Sequence, residues 1–294
     1  MTKRIAFLGP VGTFGWRVAT SENLGARFIP FGSHAQVIQA VFEGRADLGY
    51  VARENNLGGT VVDTVEPLIR NQVGTTMRLE NELLSVMQGR LMVCGERILA
   101  IEQCLYGHTG VRVSKIYSHP QGLAQCEIFL NRRFPEAERI PASSTVEGVE
   151  KILGDENAVA IAPPWVADLY PDVPLLENGI QDDRVNNTRF LVVGREDWPP
   201  TGRDKTSLWF TVPDDDRPGA FDSVSQLLAL AGINKTVIES RPGKTELGKY
   251  VFLVDIDGHC KDKVVELALE LIVRAGHTTT LTILGSYPRW QNGA

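Results

Sequence analysis

What most constrains the fold of this chain is a regular alternation. Short apolar β-type runs are each followed by a polar turn and then by an amphipathic helical stretch. Arg4 to Leu8 leads through Gly9-Pro10 and Val11-Gly12-Thr13-Phe14 into a helix predicted from about Gly15 to Leu24. Phe28 to Phe31 is strand-like, and Ser33 is placed to cap a helix through Val37, Ile38, Val41 and Phe42. Ala46 to Val51 is the next strand, continued by the polar Arg53-Glu54-Asn55-Asn56 before a helix containing Val65, Leu68 and Ile69. A strand is predicted over Glu82–Val93, a short element over Ile98–Cys104 and a strand over Lys115–Tyr117. Ser118-His119-Pro120-Gln121 then opens one helix running through Leu130. Ser143-Ser144 precedes a helix over Val146–Ile152, and Ala158–Ala162 is a buried-type strand followed by a helix from Pro163-Pro164-Trp165 to Leu169. Strand and helix in strict turn dictate an α/β architecture.

Polar residues gather at these junctions, and a fifth group, Asn186–Phe190, runs into the apolar Leu191-Val192-Val193. In an open α/β sheet, ligands bind in the crevice beyond the carboxyl ends of the strands. Alternation along a strand puts Thr188 and Phe190 on one face, with Asn187 and Arg189 on the other. A hydroxyl beside an aromatic ring suits a ligand held against that ring. Each group also has a plain structural reading: Ser, Thr and His as helix caps, Asn as a turn former, Arg189 as a solvated cation.

Trp198-Pro199-Pro200-Thr201-Gly202-Arg203-Asp204 is proline-rich and polar, which marks a boundary. Beyond it come a strand over Thr206–Val212, a helix over Ala220–Ala231, strands over Lys235–Ser240 and Tyr250–Ile256, a helix over Lys261–Ala275 and a strand over Thr278–Leu284. This βαββαβ order is that of a ferredoxin-like module.

Composition removes several classes of function. A net charge of −6 over 294 residues opposes nucleic-acid binding, which needs a basic face. The four cysteines, Cys94, Cys104, Cys126 and Cys260, are scattered, and no CxxC pair marks a structural zinc site. The apolar run at the N-terminus is too short for a signal peptide and none is long enough to span a membrane, so a cytoplasmic location is expected.

The ordered set of motifs resembles the prephenate dehydratases that carry a C-terminal ACT regulatory domain. The matching residues are Gly9-Pro-Val-Gly-Thr-Phe14, Glu54-Asn55 with Gly59, Ser118-His-Pro-Gln121 with Gln125-Cys126, Ser143-Ser144 and Asn187-Thr-Arg-Phe190. In the second part they are Pro218-Gly-Ala220, Gly232-Ile-Asn234, Glu239-Ser-Arg-Pro242, Leu247-Gly248 and Tyr250-Val-Phe252. The resemblance implies an α/β fold made of a two-lobed, periplasmic-binding-protein-like catalytic domain and a ferredoxin-like ACT domain. Residues 1–198 would be catalytic, with lobe 1 at about 1–78 and 178–198 and lobe 2 at about 79–177. Residues 199–204 would be the linker and 205–294 the ACT domain.

The implied reaction is the decarboxylative dehydration of prephenate to phenylpyruvate, with no metal and no organic cofactor. By resemblance Thr188 is the catalytic hydroxyl and Phe190 orients the ring. Thr13, Arg53, Asn55, Asn56, Gln121 and Ser144 would contact the substrate, and Glu54 would fix its loop rather than face a dianion. Phenylalanine would be the effector, held by Gly219, Ala220, Asn234, Glu239, Ser240, Arg241 and Pro242, and the chain would form homodimers or homotetramers. The sequence departs from the family pattern at Gly15, Arg53, Asn56, Pro163-Pro164 and Phe221. These departures leave open a related cyclohexadienyl acid, such as a prephenate analogue or arogenate, a non-aromatising decarboxylase, or a ligand sensor without catalysis.

Overall fold

The computed structural model describes residues 2–23, 25–71, 73–213, 218–243 and 249–291. Leu24, at the end of the first predicted helix, and Leu247-Gly248 lie outside them. In chain order the first elements are β1 (Arg4–Leu8), α1 (Phe14–Ser21), β2 (Arg27–Phe31), α2 (His34–Phe42), β3 (Leu48–Asn55), β4 (Gly59–Thr60) and α3 (Val62–Arg70). Then come β5 (Thr75–Glu80), β6 (Leu83–Gln88), β7 (Met92–Ala100), β8 (Cys104–Gly107), β9 (Lys115–Ser118), α4 (Pro120–Gln125) and α5 (Glu127–Arg133). They are followed by β10 (Glu138–Pro141), α6 (Thr145–Ile152), β11 (Ala158–Ala162), α7 (Val166–Leu169), β12 (Leu175–Glu177) and β13 (Asn187–Gly194). The chain ends with β14 (Asp204–Thr211), α8 (Ala220–Leu230), β15 (Lys235–Pro242), β16 (Tyr250–Asp257), α9 (Lys263–Arg274) and β17 (Thr280–Pro288). The alternation predicted from sequence is thus present, within a mixed α/β fold whose described residues form three sheets.

The chain divides into two compact units. The first comprises Met1–Val37, Tyr50–Val61 and Ile98–Phe190. Its sheet runs β10-β9-β11-β8-β12, with β10, β9 and β11 parallel and β8 antiparallel to β11. The Ala-Val-Ala-Ile-Ala sequence of β11 explains how both faces of this sheet are covered. Ala158, Ala160 and Ala162 point one way into a cluster with Val146, Val149 and Ile152 of α6. Val159 and Ile161 point the other way, against Phe129 and Leu130 of α5. Alanine on one side lets α6 approach closely, while β-branched residues fill the other side. Where one helix was predicted to run through Leu130, there are two, because Cys126 leaves helical geometry at φ −118°, ψ 18°. A second sheet runs β2-β1-β3-β13-β7, with β4 pairing β3 and with β1 and β2 parallel.

The second unit comprises Ile38–Gly49, Val62–Arg97 and Leu191–Ala294. The βαββαβ module is there, and its sheet is longer than the sequence indicated: β15-β16-β14-β17-β5-β6. The predicted strand over Glu82–Val93 is instead the second half of a hairpin and the start of a separate strand. β5 pairs β6 across a two-residue turn at Asn81-Glu82, both at positive φ (48° and 65°). Asn tolerates that region and Glu does not advertise it, so the turn carries only half of the usual sequence signal. β5 then pairs β17, Leu281 opposite Met77 and Ile283 opposite Thr75.

The backbone passes so close here that a Cβ on Gly74 would stand 2.0 Å from the Ile283 carbonyl oxygen, and one on Gly285 would stand 2.0 Å from that of Val93. Met77 and Leu84 pack against the core formed by Leu208, Phe210, Val254, Ile256, Leu269 and Ile272. Burying each side chain of this kind contributes about 1.5–3 kcal/mol. A buried ion pair joins Lys205 Nζ to Glu96 at 2.8 Å, and Glu96 Oε1 also accepts the Trp290 amide N–H at 3.0 Å.

Candidate active site

Within the first unit a cavity of about 250 Å³ opens at the carboxyl ends of β1 and β3, at the amino-terminal end of β13 and at the starts of α1, α4 and α6. That is just below the usual range of ligand pockets, which begins near 300 Å³. Among the described residues no Asp, Glu, Lys or Arg lines it. Its polar groups are hydroxyls, amides and two imidazoles, together with the N-terminal turns of α1 and α6. Backbone N–H groups in a first helical turn lack intrahelical partners and carry partial positive charge. The cavity therefore offers an anion dipoles in place of a cation.

Thr188 and Phe190 both line it, on the one face that alternation assigned to them. Thr188 is buried, and its hydroxyl oxygen accepts from Asn55 Nδ2 at 2.9 Å. Asn55 is fixed from every side. Its Oδ1 accepts from the N–H groups of Leu57 (3.0 Å) and Gly58 (2.8 Å). Its Nδ2 also donates to Asn186 Oδ1 at 2.7 Å and to the Asn187 carbonyl at 3.1 Å. The amide is thus held with nitrogen toward Thr188. Because the threonine oxygen is already an acceptor for Asn55, and because no described residue accepts its proton, the Thr188 O–H is left for a ligand. Arg189 faces away, paired with Glu54 at 3.0 Å, so that the one carboxylate in this loop is neutralised and stays out of the lining.

The other predicted residues divide. Thr13, Gln121 and Ser144 line the cavity with Asn55. Thr13 and Ser144 are the N-caps of α1 and α6, accepting from Trp16 N (3.3 Å) and Glu147 N (3.0 Å). The Thr13 hydroxyl sits 2.9 Å from both the Leu8 and Pro10 carbonyls, so its proton is used locally, and its own N–H and carbonyl pair with Pro10 O (3.4 Å) and Arg17 N (3.0 Å). Arg53 and Asn56 are not brought to the cavity. Arg53 is buried at the β3–β4 turn, with Nη1 3.5 Å from Thr60 Oγ1. Asn56 is exposed and staples the loop to the entry of β13, donating to the Val185 carbonyl and accepting the Asn187 N–H at 2.8 Å.

The other departures also have local reasons. At Gly15 a Cβ would sit 3.0 Å from the Leu8 carbonyl oxygen, so glycine lets α1 close against the end of β1. The carbonyls of Pro163 and Pro164 both accept from the buried Tyr106 hydroxyl at 2.9 Å. Trp165 donates to the Gly12 carbonyl at 2.7 Å, packs edge-on against Phe14 and carries Arg17 over its ring.

Two polar lining residues, His34 and Gln103, had no place in the sequence reading, whereas His119 and Gln125 stood there among the matching motifs without a substrate role. His34 begins α2 after β2, a junction of the same kind as the others, so its position was a usable signal. His119 caps α4 by accepting the Gln121 N–H on Nδ1 at 3.2 Å, and burial holds its pKa below the ordinary histidine value. Gln103 lies between two strands, where no pattern marks it. Burial pushes the thiols of Cys104 and Cys126 up to about 11 and about 12, so neither is a thiolate at neutral pH. Among the described residues no group of His, Cys, Asp and Glu could hold a metal ion, and no helix is long and apolar enough to cross a membrane.

In the second unit, Glu239, Ser240, Arg241 and Pro242 line another cavity of about 480 Å³, joined by Glu66, Ile69 and Arg70 of α3. Gly219, Ala220 and Asn234 are not in its lining. Gly219 is the N-cap of α8 at φ 83°, Ala220 is in the core, and Asn234 donates to Asp257 at 3.2 Å. Phe221 packs against the core with its ring tilted 34° to that of Phe252, ring centroids 5.0 Å apart.

Known proteins resemble this chain over nearly its whole length. A bifunctional chorismate mutase/prephenate dehydratase of Stutzerimonas stutzeri is 35% identical over 292 residues, covering 97% of this chain and 73% of its own. The crystal structure of an Arthrobacter aurescens prephenate dehydratase in complex with L-Phe superposes with a TM-score of 0.81 at 29% identity, over 97% of this chain and 90% of that one. A protein described as a novel type of quorum-quenching acylase superposes with a TM-score of 0.80 at 27% identity, over 98% of both chains. The prephenate dehydratase family model matches residues 5–198, which is most of the chain, and with these likenesses it shows that the chain belongs to the prephenate dehydratase family.

Proposed function

We propose that this chain is a carbon–oxygen lyase that converts prephenate to phenylpyruvate in the biosynthesis of phenylalanine. The bond from the ring to its carboxylate breaks, carbon dioxide leaves, and the electron pair passes through the ring as it becomes aromatic. The carbon–oxygen bond across the ring breaks, and the departing hydroxide takes a proton to become water. Aromatisation drives the step, and what the protein must supply is orientation and relief of charge on the leaving oxygen.

The observation that carries this reading is the Asn55 Nδ2 to Thr188 Oγ1 hydrogen bond of 2.9 Å in an uncharged cavity. It turns the Thr188 proton toward the ligand. A threonine hydroxyl is too weak an acid for outright transfer, so Thr188 stabilises the charge as it develops. Phe190 orients the ring. Gln121, Ser144 and the N–H groups in the first turns of α1, which Thr13 caps, and α6 hold the carboxylates and the keto oxygen. Arg53 and Asn56 enter as supports of the Asn55 loop.

Phenylalanine acts as feedback effector in the cavity at Glu239–Pro242, and the chain works in the cytoplasm as a homodimer or homotetramer. The fold also hosts a protein described as an acylase, so chemistry must be decided at the site. Purified protein incubated with prephenate is expected to release phenylpyruvate and carbon dioxide in equal amounts, at a rate that falls when phenylalanine is added. Carbon dioxide without the aromatic product would make it a decarboxylase, tight binding without turnover a sensor, and hydrolysis of an acylated amine alone would overturn the reading.

A further inference from the structure

Gln103 and Gln125 meet at the wall of the active-site cavity, and their hydrogen bonding is asymmetric. Gln103 Nε2 donates to Gln125 Oε1 at 3.0 Å. Gln103 is 2% exposed, and its Oε1 is buried with no partner among the described residues. No described residue accepts the Nε2 hydrogens of Gln125, which lines the cavity and is only half-buried. Three consecutive residues hold both backbones. The Gln103 N–H donates to Gln181 Oε1 at 3.0 Å, the Gln103 carbonyl accepts from Ile180 N at 2.9 Å, and the Gln125 carbonyl accepts from Asp182 N at 2.8 Å.

A buried acceptor left unpaired costs stability, and a purely structural amide pair would not carry one. Turning Gln103 alone would set oxygen against oxygen. Turning both amides would pair Gln103 Oε1 but strand the Gln103 Nε2 hydrogens in its place and bring Gln125 Oε1 toward the ligand. We propose that Gln103 is a positioning residue that locks the Gln125 amide with its Nε2 hydrogens into the cavity, making Gln125 a committed donor to a carboxylate or keto oxygen. Either orientation leaves one side of the Gln103 amide unpaired, and the observed one strands an acceptor rather than two N–H donors. The choice of ligand rests on the prephenate reading; the lock itself does not.

A double-mutant cycle tests it. Gln125→Met is expected to raise KM for prephenate by about 10- to 100-fold, as loss of a hydrogen bond to a charged group does. Gln103→Met should raise KM by about 5- to 10-fold with kcat little changed and with the melting temperature held or raised, since the unpaired acceptor is gone. Gln103→Met added to Gln125→Met should change nothing further. Additive losses, or a Gln103→Met variant whose melting temperature falls while KM stays put, would overturn the proposal. Side-chain amide exchange in nitrogen-15-labelled wild-type protein tests the lock without substrate or mutation. The Gln103 amide hydrogens should exchange slowly and those of Gln125 rapidly, and rapid exchange at Gln103 would also overturn it. If wild-type protein neither binds nor turns over prephenate, the functional reading fails and this measurement still decides the lock.

Discussion

Replacing Asn55 with aspartate reverses two hydrogen bonds and breaks a third while barely changing shape, and its consequences can be worked through bond by bond. Aspartate keeps the acceptor side, so the N–H groups of Leu57 and Gly58 retain their partner. On the other side an oxygen now faces Thr188 Oγ1, Asn186 Oδ1 and the Asn187 carbonyl, all previously acceptors of Asn55. Thr188 answers by donating its own proton to the new carboxylate, which takes that proton from the ligand. Asn186 answers by rotating its amide, whose Nδ2 is buried and unpartnered in the native arrangement. Only the Asn187 carbonyl loses a donor, and it keeps the Asn56 N–H at 3.1 Å, so the hydrogen bonds alone cost about 1 kcal/mol, to which burial of the new carboxylate adds. For a chain of this size the fall in Tm is then more than roughly 2–4 °C. Loss of one donor to a developing oxyanion costs about 10²- to 10³-fold in kcat. The added charge in the cavity also raises KM, so the decisive measurement is kcat at saturating prephenate beside a thermal melt. An Asn55→Asp variant that turns over at the wild-type rate would refute the claim that Asn55 aims the Thr188 proton.

Thr188→Ser keeps the hydroxyl and should retain most activity, whereas the isosteric Thr188→Val should lose about 10²- to 10³-fold in kcat with little change in melting temperature; equal rates for the two would remove Thr188 from the chemistry. Glu96→Gln leaves the Lys205 ammonium buried without its counter-ion and should cost about 3–5 kcal/mol in urea unfolding, most of it recovered in the Glu96→Leu/Lys205→Met double variant. His119 should titrate below 6.5 by NMR, because burial disfavours the cation and its Nδ1 is occupied by the Gln121 N–H. Its folded pKa is depressed, so its contribution to stability is present above the unfolded value and lost as pH falls through the folded one; a midpoint at or above 6.5 would contradict this. Trp165→Phe keeps the edge contact with Phe14 but leaves the Gly12 carbonyl without its donor, and a drop of about 1 kcal/mol with a raised KM is expected in melts and steady-state assays.

Much of this is legible in the sequence, for local reasons. The period-two face shared by Thr188 and Phe190, the serine caps, and the apolar runs of β11 and β13 are properties of neighbouring residues, and the fold leaves them intact. What sequence could not show depends on residues far apart in the chain. Arg53 and Asn56 look like ligand contacts because they flank Asn55, but strand geometry buries one at Thr60 and turns the other toward Val185 and Asn187. Gln103 stands out only through its meeting with Gln125, 22 positions on. The hairpin at Asn81-Glu82 escapes a sequence reading because only one of its two positive-φ residues is of a type that favours that conformation.

The pairing of β5 with β17 bears on how this chain can be cut and recombined. The Pro199-Pro200 stretch invites a break, yet a fragment ending there would leave β5 with a bare backbone edge and Met77 and Leu84 without their covering core. Unpaired edges of that kind template aggregation. A transplanted C-terminal module would likewise need its last strand to meet β5 in register and to carry a side-chain-free residue where Gly285 crosses Val93. The practical seam for exchanging modules therefore encloses the 74–93 segment as well as the C-terminal residues, and a chimera built at the proline linker alone should precipitate.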